Sequence, residues 1–220
     1  MKVLVACEES QTVCKAFRAR GHEAYSCDIQ TPSGGHYEWH IWGDVVPILR
    51  GGYFVTMDLQ GHEVDRWDLA ICHPPCTDLA ISGARWFPEK QKDFRQQKSV
   101  AFFMLMFTAN ADRIAVENPI GIMSECFREP DQIIQPYYFG DPVKKSTCLW
   151  LVNLEPLVYT NVVDPVLVQD KKGRNYSGPA FYAKDENGKI IPWNDPRTAK
   201  ARSKTYDGIA EAMAEQWGAL

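Results

Sequence analysis

The sequence has no apolar run approaching the roughly 20 residues of a membrane span, no Cys-x-x-Cys pair, no internal repeat and no low-complexity tract. With an ordinary apolar fraction of 45%, the first absence predicts a soluble globular protein with no membrane partner. Met1-Lys2-Val3-Leu4-Val5-Ala6 could pass for the start of a signal sequence, but polar Glu8, Glu9, Ser10 and Gln11 follow at once, so it reads as a first strand. The seven cysteines, at 7, 14, 27, 72, 76, 126 and 148, are odd in number and scattered, which argues for a reducing compartment and against a disulfide framework. A zinc site built from His36, His40, Cys72, His73 and Cys76 matches no usual ligand spacing. Positive charge is also scarce. A net charge of −4 and a pI near 5.8 exclude a cationic coat for nonspecific nucleic-acid binding, but not a local basic face. Between Glu155 and Lys204, nine Lys or Arg stand against six Asp or Glu.

Within this frame the stretch Asp68-Leu-Ala-Ile-Cys-His-Pro-Pro-Cys76 stands out. Leu69 to Cys72 is a short apolar run, the pattern of a parallel strand covered on both faces, and Pro74 and Pro75 end its ladder. Cys76 is thereby delivered at a strand's carboxyl end, where open α/β sheets collect ligands and reacting groups. Upstream, Lys2 to Cys7 predicts a strand, and Ser10 is expected to cap a helix with Val13, Ala16 and Phe17 on one face until Gly21. Glu23 to Ile29 predicts a second strand. The turn Cys7-Glu8-Glu9-Ser10 lacks a glycine cluster. A pyrophosphate would meet two carboxylates there, so a phosphate-free cationic cofactor such as S-adenosylmethionine suits it better. Asp28, at the end of the second strand, is placed to take ribose hydroxyls, and Asp44 to accept from an adenine amino group.

Thr31 to His40 reads as a loop over the cleft, and Arg50 to Val64 as a surface excursion. Thr77 to Glu89 is expected to be a mobile loop. In it Arg85 and Trp86 either contact a phosphate and a base or pin the loop through a buried tryptophan. Phe94 to Ala111 predicts a buried helix, and Arg113 to Val116 a strand ending in Glu117-Asn118-Pro119. Ile133 to Phe139 and Thr147 to Val152 predict two further strands, and Asp207 to Trp217 a closing helix packed on the core.

In this order the signatures resemble the DNA cytosine-5 methyltransferase family, in a compact form like those often carried by phages. Pro75-Cys76 matches the family's Pro-Cys nucleophile and Glu117-Asn118 its Glu-Asn pair. Asp28 and Gly43-Asp44 match its ribose and adenine positions. Leu4 to Ser10 occupies the place of its cofactor loop without the usual Phe-x-Gly-x-Gly. Phe139-Gly140 through Thr147 is similar to a degenerate Gln-x-Arg-x-Arg strand, and Ser203 through Met213 to the last motif. The resemblance implies an α/β, Rossmann-like S-adenosylmethionine-dependent methyltransferase fold with a very small recognition lobe. Residues 1–154 form the catalytic core, 155–200 a target-recognition or lid segment, and 201–220 a helix packing back on the core. It also implies DNA as partner and a cytoplasmic setting in a bacterium or phage-infected host.

The implied site residues follow from these matches. Cys76, as thiolate, attacks carbon 6 of a flipped cytosine. Glu117 holds N3, with a pKa expected to be raised by burial; Lys145 and Thr147 stand near the arginine positions. Ala6, Cys7, Glu8 and Ser10 are implied around the cofactor, with Asp28, Ile29, Asp44 and Val45 from the next two strands, and His73, Pro74 and Ser203. Arg85, Trp86, Lys144 and Arg174 are the implied DNA contacts. Three alternatives stay open: amino-group methylation of adenine or cytosine, since His73-Pro74-Pro75-Cys76 is half of that class's motif; a nonenzymatic nucleic-acid or nucleotide binder on this fold; and a cofactor with an acidic transferable group, selected by Lys204.

Overall fold

The computed structural model describes residues 1–169, 173, 175–177, 185–189, 191, 195, 197 and 203–220. In chain order it contains β1 (Lys2–Ala6), α1 (Thr12–Ala19), β2 (Glu23–Asp28), β3 (His40–Trp42), α2 (Val45–Ile48), β4 (Gly52–Val55), β5 (Gly61–Val64) and β6 (Trp67–Cys72). There follow α3 (Phe87–Lys92), α4 (Arg95–Leu105), β7 (Ala111–Pro119), α5 (Met123–Cys126), β8 (Gln132–Ile134), β9 (Thr147–Val152), β10 (Leu167–Gln169), β11 (Asn175–Ser177) and α6 (Asp207–Gln216).

Seven of these strands form one sheet in the order β3-β2-β1-β6-β7-β9-β8. β1 is parallel to β2 and β6, and β6 to β7, while β9 runs antiparallel to both β7 and β8. Strands β4 and β5 form a separate antiparallel hairpin within the stretch read from the sequence only as a surface excursion. This is the Rossmann-like α/β fold expected from the sequence, with the order in which strands are laid down reversing between β1 and β6. At such a switch point the carboxyl ends of the strands leave a crevice for ligands.

Side-chain alternation explains why the centre of the sheet holds. Val3, Val5, Leu69 and Ile71 pack on one face with Phe17 of α1 and Ile209, Met213 and Trp217 of α6. Leu4, Ala6, Ala70 and Cys72 pack on the other with Phe103, Met106 and Trp150. Both faces of β1 and β6 are therefore covered, as their unbroken apolar runs require. The final helix docks as expected, and its Gly208 is needed there: a Cβ would lie 1.9 Å from the carbonyl oxygen of Phe139.

Five local expectations are corrected. Ser10 is only a minor cap of α1, its hydroxyl accepting from the Thr12 amide at 3.4 Å; the Glu8 carboxylate takes the Val13 and Cys14 amides at 2.6 and 3.2 Å, a stronger acceptor at a helix start. The segment after Cys76 is a 3-10 helix, Ile81–Trp86, running into α3, with Pro88 within its first turn. Helix α4 is shorter than expected and lies on the sheet face with only Gln96 and Phe103 buried; its apolar residues do not all point one way. β7 does not end before Glu117 but continues to Pro119, because β9 pairs with it along Glu117, Asn118 and Pro119. The strand expected over Ile133 to Phe139 stops at Ile134, since Pro136 offers no amide and opens a 3-10 turn.

Candidate active site

The crevice is organised by three strand ends. On β6, the His73 amide donates to the Ala6 carbonyl at 2.9 Å, extending the β1 pairing one step before the prolines break it. Cys76 follows, half-buried, and its carbonyl accepts from the Leu79 and Ala80 amides at 3.0 and 2.9 Å, closing a turn. On β7, parallel pairing ends at Val116, opposite Cys72. Glu117 is thus the next residue along, beside His73.

The two loops are stitched together. The Asn118 side-chain amide donates to the Pro74 carbonyl at 2.8 Å. Ile81 donates to the Ile120 carbonyl, and Ile122 to that of Leu79, each at 3.0 Å. Ala80 and Gly121 form a bridge, and a Cβ on Gly121 would sit 2.2 Å from the Leu79 oxygen. Below them Lys90 is buried, its Nζ 2.5 Å from the Thr77 carbonyl and 3.1 Å from Asp78 Oδ1. Asp78 also accepts from the Ser99 hydroxyl at 3.1 Å. A buried lysine so satisfied fixes the turn that carries the thiol, in place of the mobile loop expected there.

Glu117 Oε2 lies 2.8 Å from His73 Nδ1, with side chains 15% and 14% exposed. Burial pushes the Glu117 carboxyl up, but the His73 charge and hydrogen bond, Lys145 and the Thr205 hydroxyl outweigh it, so the net shift is downward. This corrects the expectation of a raised pKa in the resting site. For His73, burial works against the charge, but Glu117 and Glu8 overcome it and Lys145, and its pKa is raised. Glu8 is itself pushed up by burial, only partly offset by His73 and the two helix amides. Among the described residues His73 Nε2 and Asn118 Oδ1 are buried without a hydrogen-bond partner, as is Gln135 Oε1 elsewhere, so both site atoms can take a further polar group.

Of the other sequence candidates, Lys145 joins this group, while Thr147 is the buried first residue of β9, opposite Pro119. Lys144 and Ser203 are exposed at its margin. Thr205 and Tyr206 are additions that the sequence did not single out: Thr205 reaches Glu117 and the Tyr206 ring lies 5.6 Å from Lys145 Nζ. Their only sequence signal is their place two and three residues after Ser203.

At the ends of β1, β2 and β3 Asp28 and Asp44 stand together as an acidic lip. Cys7 adopts a left-handed φ of 60°, and burial, with Asp28 and Asp44 nearby, pushes its thiol up to about 12. Asp28 accepts from the Gln30 amide at 2.9 Å, and Asp44 caps α2 through the Val46 amide at 3.0 Å. Ile29 is 75% exposed and Trp42, which donates to the Ile29 carbonyl at 2.8 Å, is 63% exposed. Together they make an open apolar shelf beside the two acids, with Trp42 a residue that sequence reasoning missed. By contrast Ala6 and Val45 are buried in the core, so they reach the crevice only through their backbones. Pro74 is buried, and the Ser10 hydroxyl is engaged with Glu8 and Thr12.

Further out, Trp86 is 46% exposed with the Arg85 guanidinium 4.9 Å from its ring centroid. It therefore does not pin the loop as a buried ring. Arg174 lies outside the described residues. The histidines and cysteines of the imagined zinc site are dispersed: His36 stacks on Trp39 at 3.8 Å, and His40 bonds to Ser26 and the Gln30 carbonyl.

Fold and site together define a Rossmann-like α/β protein with a thiol and a carboxyl on stitched loops beside an acidic lip. No protein-family model and no curated protein matches the sequence. Among solved structures, it is similar to a protein assigned provisionally as a DNA modification methyltransferase encoded within an E. coli prophage. That similarity is at 16% identity and TM-score 0.47, covering 76% of this chain and 52% of the other. An Escherichia coli rRNA methylase aligns at 15% identity and TM-score 0.35, covering 68% and 55%. The chain thus spans about half the length of either.

Proposed function

We propose that this protein is a DNA cytosine-5 methyltransferase that uses S-adenosylmethionine and forms a covalent adduct between Cys76 and carbon 6 of a flipped cytosine. The observation that carries this is the stitched pair of loops, which holds a half-buried cysteine thiol and a half-buried carboxyl at adjacent strand ends, with two polar atoms in the same group unpartnered among the described residues. The lip supports the choice of cofactor. Asp28 and Asp44 are acceptors suited to hydroxyl and amino donors, the Ile29–Trp42 shelf suits a flat apolar ring, and carboxylates repel phosphate.

When bound there, S-adenosylmethionine supplies an electrophilic methyl group. Cys76 supplies the electron pair that makes cytosine carbon 5 nucleophilic, by adding to carbon 6. Glu117 binds N3 and carries the proton that stabilises the resulting enamine. Asn118 fixes Pro74, and through it the approach of the thiol. Arg85, Trp86 and Lys144 form the phosphate- and base-contacting surface, and residues 155–200 the small recognition segment.

The test is covalent trapping. Wild type and Cys76→Ser are incubated with S-adenosylmethionine and DNA containing 5-fluorocytosine, whose fluorine cannot leave as a proton does. A denaturation-resistant complex from wild type alone is expected, with a single methyl increment in modified nucleosides. A complex formed equally by Cys76→Ser, or none with cofactor bound, overturns the proposal in favour of amino-group methylation or a binding role. A larger increment overturns the choice of transferred group.

A further inference from the structure

We propose that His73 is a positioning residue that stores, on Nδ1, the proton that Glu117 lends to N3 of the substrate ring. This rests on the cytosine chemistry proposed above. Three histidines have ring nitrogens engaged inside the fold, and two of them are held on both sides. His40 bonds to the Ser26 hydroxyl at 2.8 Å and the Gln30 carbonyl at 3.0 Å; His62 bonds to Tyr25 and Thr56 at 2.9 and 3.1 Å. These are structural rings. Among the described residues the His73 ring has one partner, Glu117 at 2.8 Å, while its Nε2 is buried and unpartnered.

Its electrostatic surroundings are as specific. Glu117 faces it from β7, Glu8 from the turn after β1, and Lys145 from the segment before β9; Thr205 hydrogen-bonds to Glu117 from the approach to α6. Two carboxylates against one ammonium favour the imidazolium. Glu117, facing His73 and Lys145, is held ionised. An ionised carboxylate has no proton to give, yet the enamine needs one at N3. The proton must therefore wait on the neighbour, and His73 is the group at hydrogen-bond distance.

The step balances. As the Cys76 thiolate forms its bond to carbon 6, the C5–C6 π pair shifts to C4–C5 and the C4–N3 pair moves onto N3; His73 Nδ1 passes its proton to Glu117 Oε2, and the carboxyl so formed gives it to N3, leaving an ionised Glu117 and a neutral imidazole. When the carbon-5 proton leaves to solvent and Cys76 is eliminated as thiolate, the N3 proton returns through Glu117 to His73 Nδ1, so this pair consumes none.

His73→Gln keeps a donor toward Glu117 but cannot store a proton. The rate of 5-fluorocytosine adduct formation, measured against pH, is expected to fall in this variant by about 100-fold near pH 8. Its alkaline limb should move to lower pH by about one unit, with S-adenosylmethionine affinity within about twofold. A profile of unchanged shape, merely scaled, overturns the proposal. A second measurement needs no substrate: the imidazole NMR titration of His73 in wild type and Glu117→Gln. The pKa is expected to drop by about one unit in the variant, and an unchanged value refutes the stored proton even if trapping succeeds. If His73 and Glu117 are coupled but wild type traps no cytosine, the cytosine chemistry falls and the role toward N3 falls with it.

Discussion

The His73–Glu117 pair sets a pH window for stability that can be worked out from its two shifts. His73 is raised above its ordinary 6.5, so its contribution is complete below that value and lost as pH rises through the folded pKa. Glu117 is lowered below 4.5, so its contribution is complete above that value and lost as pH falls through the folded pKa. The pair therefore stabilises the fold most between about 4.5 and 6.5. Thermal melts of wild type and His73→Gln are expected to differ most in that interval and to converge on both sides. A difference that grows toward pH 9 would show that another group governs the stability. The identity of this pair was only half legible in the sequence. Glu117 stood out through its motif, but His73 followed an apolar strand and could equally have been a ligand to the cofactor. Its orientation toward β7 depends on parallel register, which no local pattern encodes.

At the scale of elements, the sequence made the strands plain wherever both faces are buried: Val3 to Ala6 and Leu69 to Cys72 are unbroken apolar runs. It failed where tertiary pairing overrides composition. β7 continues through Glu117-Asn118-Pro119 because β9 lies antiparallel along it, and nothing in those three residues favours a strand. Likewise the segment after Cys76 looked mobile by its glycine and proline, yet a buried Lys90–Asp78 pair fastens it. The join between the two loops gives a direct test. Gly121→Ala must displace the Leu79 carbonyl, 2.2 Å from the new Cβ, whereas Gly83→Ala meets nothing closer than 3.5 Å. Gly121→Ala is expected to cut adduct formation by about 100-fold with cofactor binding retained, the cost of a displacement near 1 Å at a reacting centre. Gly83→Ala should leave the rate within about twofold. Equal behaviour of the two variants would mean that the stitch does not set the thiol.

The whole molecule carries more acid than base, with a net charge of −4, so under the proposed function the attraction to DNA is local. Arg85, Trp86 and Lys144 are exposed outside the crevice. If Arg85 and Lys144 meet phosphates, the double Ala variant should bind duplex DNA more weakly and reduce the slope of log affinity against log salt by about 0.9 for each phosphate no longer neutralised. An unchanged slope, measured by anisotropy across a salt series, would move the DNA surface elsewhere. The fold itself was readable at this scale from the alternation of strands and helices. The acids of the lip, Asp28 and Asp44, were readable from their places at the ends of the second and third strands, whereas Glu8 of the turn Cys7-Glu8-Glu9-Ser10 proved to serve α1 as its cap.

That the thiol loop and the carboxyl loop are joined by main-chain hydrogen bonds and a bare glycine has a consequence for how such a site can change. The spacing between Cys76 and Glu117 is measured out mainly by peptide units, a ruler with one side-chain rung, the Asn118 amide on the Pro74 carbonyl. Core residues under the sheet can drift, and the pocket around the ring can be reshaped for a different base or transferable group, without moving the two marks on that ruler. Variation around the crevice is therefore open to this architecture outside the stitch, while Gly121, Asn118 and the Lys90–Asp78 pair are the positions it holds fixed.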